Sequence, residues 1–257
     1  MKKIVSILVA LLFISGLVNS QPLTRAEKDF SYTFLSYEGT NASAVVWEPV
    51  QKFYITLIAG NSDFPLEVFD GSGKCLFSDV VKLDSRGMWY NPKTKRIEIN
   101  AYDDSGWAYV KFNEKFNYHA IDVFYEGMHQ PEYNACGTYY PKKKSVIFLN
   151  EADMSIDLYR YKNPKKISKI KLDLRQDNMT EYNTTSLGFT GKKGYEFVLL
   201  NVERHLLDFF DSKGQYAGST ELPGSAITNG MFRFAYANDR VFLYDIDERT
   251  WTAYKVF

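Results

Sequence analysis

The side chains able to do chemistry are few and far apart. His119, His129 and His205 sit in separate stretches, without the spacing that would gather them on a metal. No Gly-rich phosphate loop follows an apolar run, and no Gly-x-Ser-x-Gly is present. Glycoside hydrolysis needs two carboxylates on opposite sides of one bond, at least one with a pKa raised by partial burial. Glu48 is the best-placed acid, directly after Trp47 at the end of an apolar run. The matching positions in the other repeats described below are neutral: Asn91, Tyr140, Thr190 and Ala235. Asp84, Glu132 and Asp177, in the preceding loops, are the acids that could join Glu48. No residue is therefore assigned a catalytic role, and no metal or cofactor is expected.

Binding chemistry is better represented. The chain has 19 Tyr, 19 Phe and 4 Trp. Trp47, Tyr90, Tyr139, Phe189 and Phe234 recur at matched places. They read first as core, wedged between packed sheets, with stacking on a sugar as the alternative. The neighbouring loops supply Arg86, Trp89, His129, Tyr133, Tyr182 and Arg233. These six are the candidate ligand-binding residues, because scaffold loops carry binding and Tyr and Trp join an apolar body to a polar tip. The basic turns Lys142–Lys144 and Lys162–Lys166 are expected to solvate hairpins rather than bind anions. Asn41, Asn178 and Asn183 begin glycan-acceptor triplets, which matter only in a eukaryotic source.

The elements that position these residues repeat. Gly87–Tyr102 reads GMWYNPKTKRIEINAY: a short apolar run, a polar turn at Asn91–Arg96, then alternation with Ile97, Ile99 and Ala101 on one face. That is two strands and a tight connection. The shape recurs from Ser43, Gly137, Gly188 and Gly230. Lining up the second strands of the pairs places the five aromatics 43, 49, 50 and 45 residues apart, the spacing of four-stranded propeller blades. The fifth unit is one strand short, while Phe30–Tyr37 is an extra strand at the start. A ring explains both: Phe30–Tyr37 pairs beside Thr250–Val256 and removes the open sheet edges. The expected fold is an all-β, five-bladed β-propeller of four-stranded antiparallel blades.

Two hairpins, VFDGSGK at Val68–Lys74 and FFDSKGQ at Phe209–Gln215, resemble those of NHL-type and related bacterial exported propellers. The resemblance spans roughly residues 30–257. It implies the ring and places no active site. Some five-bladed propellers are glycosidases, which keeps a sugar-acting hydrolase as the alternative function. Kelch and WD signatures are absent.

The N-terminus sets location. Lys2 and Lys3 precede the apolar stretch Ile4–Val18, and a cut after Ser20 fits a secretory signal too short to span a membrane. Residues 1–20 are thus expected to be a signal peptide, 21–29 a leader and 30–257 one propeller domain. The product would be secreted or periplasmic, with no membrane span after cleavage. Cys75 and Cys136 fall in non-adjacent repeats and are expected to be separate thiols. Lys+Arg and Asp+Glu each total 31, so the basic excess of a nucleic-acid binder is missing. The expected function is an exported, non-catalytic binding protein for a protein or carbohydrate partner, using loops at one propeller face. A structural part of an exported assembly is a further alternative.

Overall fold

The computed structural model describes residues 25–60, 64–113, 118–174, 180–185 and 187–257. The expected signal peptide, residues 21–24 of the leader, Asp177 and Asn178 lie outside them, while Glu27–Asp29 of the expected leader belong to a strand. The described residues form five four-stranded antiparallel sheets. The first blade is β2 (Asn41–Glu48), β3 (Phe53–Ala59), β4 (Phe64–Phe69) and β5 (Cys75–Val81). The second is β6 (Ser85–Asn91), β7 (Arg96–Ala101), β8 (Trp107–Phe112) and β9 (Tyr118–Tyr125). The third is β10 (Thr138–Tyr140), β11 (Ser145–Asn150), β12 (Ser155–Arg160) and β13 (Lys166–Lys171). The fourth is β14 (Gly188–Phe189), β15 (Phe197–Asn201), β16 (Leu206–Phe210) and β17 (Tyr216–Glu221). The fifth is β18 (Phe234–Ala237), β19 (Arg240–Asp245) and β20 (Thr250–Lys255), completed by β1 (Glu27–Thr33). The first strands of the blades contact one another in a closed circuit, β2 to β6, β10, β14, β18 and back to β2. The chain is a five-bladed β-propeller.

Local chemistry explains the strands. Second strands such as β3, FYITLIA, are apolar and buried throughout, because sheets cover both of their faces. Outer strands are polar, as in β13, KISKIK, which is almost wholly exposed. The hairpin ending β4 turns on Asp70, whose Oδ1 accepts the amides of Ser72 at 2.8 Å and Lys74 at 3.1 Å. Asp211 repeats this with Lys213 at 2.8 Å and Gln215 at 2.9 Å. Such carboxylates stand in for backbone turn bonds.

The core is not central. It is divided into five wedges, one at each seam between blades. The seam of blades two and three is the aromatic one, built on Trp89, Trp107, Tyr139 and Phe148. The seam of blades five and one closes the ring and is the most heavily bonded. Here Tyr32 stacks on Phe69, with centroids 4.1 Å apart. Its phenol donates to the fully buried Glu67. Glu67 also accepts the amides of Leu35 and Ser36, each at 3.0 Å, and the hydroxyl of Ser78 at 2.9 Å. The Trp251 indole donates to Thr56 Oγ1 at 2.8 Å across the same seam.

The closing strand lies outermost beside β20, as expected, but runs Glu27–Thr33 rather than Phe30–Tyr37. The reason lies beyond Thr33. Glu67 takes the amides of Leu35 and Ser36, and the Arg249 guanidinium takes the carbonyls of Ser36, Glu38 and Gly39. With those groups claimed, Leu35–Tyr37 leaves the ladder. Cys75 and Cys136 are not joined in a disulfide. Among the described residues no helix is long and apolar enough to cross a membrane.

Two outcomes test this account of closure. Glu67→Ala leaves four donors without their acceptor, and each unpaired buried donor costs about 1–3 kcal/mol. Urea unfolding should show a loss of about 3 kcal/mol or more, against little change for an exposed control such as Glu203→Ala. The second concerns Asp29, which joins β1 to β19 and β20 through Arg240 at 2.6 Å and Lys255 at 2.9 Å. Partial burial works to raise its pKa, but hydrogen bonds and charge from Lys255 and Arg240 outweigh that and lower it. A depressed carboxylate stabilises the fold above its unfolded pKa and loses that contribution as pH falls through the folded value. Stability measured on acidification should therefore drop less steeply in Asp29→Asn than in the parent.

Candidate functional site

All first strands run the same way along the axis. Their beginnings define a lower face and their ends an upper face. The lower end of the channel is tight. Gly87 and Gly137 face each other there: a Cβ on Gly87 would sit 2.1 Å from the Gly137 nitrogen, which only glycine allows. The Arg86 guanidinium lies over the rings of Tyr102, at 4.5 Å, and Phe232, at 5.5 Å. It is fastened by Asp84 and by Asn134 at 3.2 Å. Arg86 and Phe232 are both buried, so side chains plug this mouth.

The upper end opens. A cup of about 310 Å³ is lined by Trp47, Tyr90, Tyr139, Phe189 and Tyr236, with Pro92, Pro141, Thr138, Thr190, Asn238 and Asp239 completing the wall. Every blade contributes an aromatic ring, and blade two adds a second, the buried Trp89. That of the fifth blade is Tyr236, not Phe234 as the repeat alignment predicts. The last inner hairpin turns in only two residues, Asn238 and Asp239, with φ of +51° and +61°. This tight turn moves the equivalent place two residues later. Phe234 is instead buried at the seam of blades four and five. The expectation of rings buried between blades thus holds for Phe234 and Tyr139. Trp47, Tyr90 and Phe189 are only half-buried and face the cup.

Three of the five seams are tied at this rim. Lys142 reaches Glu196 at 3.2 Å from blade three to four. Lys192 reaches Asp239 at 2.9 Å from four to five. The Asn238 amide donates to the Tyr54 phenol at 3.1 Å from five to one. Tyr236 also donates to Asp239, at 3.1 Å. Burial, then the nearby carboxylates, raise the phenol pKa of Tyr90 beside Glu48, Tyr139 near Glu98 and Tyr236 beside Asp239. All three stay neutral at physiological pH and serve as hydrogen-bonding rings.

The acids considered for hydrolysis go elsewhere. Glu48 accepts the Gln51 amide at 2.6 Å and faces the crevice between blades one and two, with Lys95, Arg96 and Lys111. Asp84 is on the lower face with Arg86, and Glu132 is exposed in a lower loop that caps Asn134. Among the described residues, Asp239 is the carboxylate lining the cup.

The six loop residues do not form one site. Trp89 and Tyr182 are buried, their N–H and O–H held by buried acceptors, Glu98 at 2.8 Å and Asp208 at 2.7 Å; of the six, Trp89 alone is among the residues lining the cup. Arg233 holds Asn229 at 2.8 Å and Asn41 at 3.3 Å, which braces the last blade against the first. His129 bonds the Glu126 carbonyl at 2.8 Å and packs on Trp107 and Tyr125. Tyr133 is exposed and meets Tyr102 beside Arg86. The other four, Arg86, His129, Tyr133 and Arg233, belong to the lower face, opposite the cup.

Net charge is zero, yet it is sorted by face. The upper inner hairpins carry Lys52, Lys93, Lys95, Lys142–Lys144, Lys192 and Lys193, while their two acids, Glu196 and Asp239, are already paired. The lower loops carry Asp103, Asp104, Glu126, Glu132, Glu151, Asp153, Asp247 and Glu248. Whole-chain composition hides this polarity, which steers anions to the upper face.

No protein-family model matches the chain, and no curated protein matches it in sequence. Its fold is similar to that of the glutaminyl cyclase of Myxococcus xanthus, with a TM-score of 0.59 and 10% identity over 92% of this chain and 98% of that one. A chain of the nidogen/laminin complex aligns at 0.47, with 11% identity over 86% and 83%. The hydrazine synthase of Kuenenia stuttgartiensis aligns at 0.40, with 12% identity over 84% and 57%. At these identities the likeness is one of fold alone.

Cup and core aromatics should separate in stability measurements. Phe234→Ala, deep in a seam, should cost about 3–5 kcal/mol. Trp47→Ala and Tyr90→Ala remove less buried surface and should cost about half that or less. Equal losses by urea unfolding would mean that the cup rings are core.

Proposed function

We propose that the chain is an exported, non-catalytic binding protein that holds a carbohydrate in the axial cup of the upper face. One observation carries this reading: aromatic rings from all five blades surround a single concavity with polar groups at its edge. A pyranose has an apolar C–H face and hydroxyl edges. Aromatic walls match the face, and Thr138, Thr190, Asn238, Asp239 and the tyrosine hydroxyls match the edges. Rim ties across three seams support a site formed before the ligand arrives, which lowers the ordering cost of binding. The role in binding moves from the lower loops to the opposite face, because Arg86 and Phe232 fill the lower mouth. Export rests on the N-terminal signal pattern alone.

The hydrolase alternative would need a second carboxylate across the cup from Asp239. Glu48, Asp84 and Glu132 point elsewhere, which favours binding over turnover.

The test is calorimetric titration of the purified protein with a panel of neutral and acidic hexasaccharides. At least one should bind, and Trp47→Ala or Tyr236→Ala should weaken it by about tenfold or more, the equivalent of 1.4 kcal/mol. Sugar release from any panel member, abolished by Asp239→Asn, would replace binding with hydrolysis. Absence of binding across the panel would remove the carbohydrate reading.

A further inference from the structure

Two seams of the upper face open as crevices: among the described residues that of blades one and two carries no such rim tie, and that of blades two and three is joined below its rim by the Tyr161 phenol to Glu98 at 2.7 Å. The seam of blades two and three holds a pocket of about 400 Å³. Its walls are Lys93, Lys143, Lys144, Arg160 and Lys162, over a floor of Tyr139, Tyr161 and Ile167. The two basic turns that sequence alone treats as solvated hairpins thus face each other across one cavity. Among the described residues none of these five cations has a carboxylate partner. Their neighbours do: Lys142 is paired with Glu196 and Lys166 with Asp157.

The nearest buried acid, Glu98, does not cancel this charge. It lies beneath the floor, is 1% exposed, and is occupied by the Trp89 indole, the Asn91 amide, the Thr94 hydroxyl and the Tyr161 phenol. It offsets one charge of five and offers no oxygen to the pocket. Like charges gathered without a counterion repel one another and raise the cost of leaving the pocket empty of anions. The pocket adjoins the cup, with Tyr139 in the wall of both.

From these observations we infer that the seam pocket is an anion subsite of the cup, and that the ligand is an acidic oligosaccharide bearing carboxylate or sulfate groups. This rests on the carbohydrate reading of the cup. One residue of the chain stacks among the axial rings. The next passes over Tyr139, and its acidic group enters the seam, where Arg160 offers a planar fork and the lysines offer point charges. The apolar floor suits the ring that carries the acid. The acidic lower face repels the same ligand, so encounter is directed to the upper one.

The experiment is calorimetric titration of the purified protein with three hexasaccharides: cellohexaose, a galacturonic acid hexamer and a chondroitin sulfate hexamer, each at low and high salt. The galacturonate arm reports carboxylate and the chondroitin arm sulfate. Expected is binding of at least one acidic hexamer about tenfold or more tighter than cellohexaose, weakening with salt. The variant Lys143→Ser/Lys144→Ser/Arg160→Ser, checked for unchanged melting, should lose about tenfold or more of that affinity, as loss of charge-assisted hydrogen bonds implies. Any binding of cellohexaose should be unaltered in it, whereas Trp47→Ala should weaken every hexamer. Equal affinity for neutral and acidic hexamers, or an unaffected triple variant, overturns the inference. If no hexamer binds, the cup reading fails, and the pocket is judged with sucrose octasulfate. Binding lost in the triple variant sustains an anion pocket, and no binding overturns it. Retention on phosphatidylglycerol vesicles without hexamer binding assigns the pocket to a membrane surface and overturns the glycan.

Discussion

Ring closure is the constraint on which the rest of the structure depends. Five blades leave no open edge only if the fifth is completed, and the chain completes it from its other end, where β1 joins β20. The strand must come from more than 200 residues away in sequence, so its entropy of closure is large. Packing alone does not hold it: Glu67 gathers four donors from the closing strand, its following loop and its own blade, while Arg249 gathers the carbonyls. A buried carboxylate with every lone pair engaged specifies one register, because any slip would leave donors unpaired in a dry seam.

The same device recurs inside the other blades. Glu98 and Asp208 are nearly inaccessible and accept tyrosine hydroxyls from neighbouring elements. Buried acids in a propeller invite a catalytic interpretation. Here their oxygens are consumed by internal donors, so Glu98 pins blade two to blade three and Asp208 fastens the loop that enters blade four. Catalytic carboxylates need an open oxygen toward substrate, and these have none.

The two mouths of the ring have opposite character for local reasons. The lower ends of the first strands carry Gly87 and Gly137, which bring backbones together, and Arg86 covers the gap. The upper ends carry an aromatic residue followed by a hairpin, and side chains of that size hold the strands apart as a lined cup. Rim bonds across three seams make that cup rigid.

Much of this was legible in the chain itself. Repeats of apolar run, turn and alternating run, the Asp-Gly hairpins and the unpaired strands at the two ends determined the propeller, the blade count and the closing partner, because these rest on periodicity and edge counting. One aromatic per blade was legible too, but not its fifth member: a hairpin shorter than all its counterparts shifted the register from Phe234 to Tyr236. The face that opens was decided only by tertiary structure. Trp89 and Tyr182, attractive as loop side chains, found buried acceptors that lie on other strands. Lys143, Lys144, Arg160 and Lys162, two separate basic stretches along the chain, became one pocket because β12 and β13 fold back over the Pro141–Lys144 turn. Sequence states which charges exist, and only the packing of blades states which of them are left without a counterion.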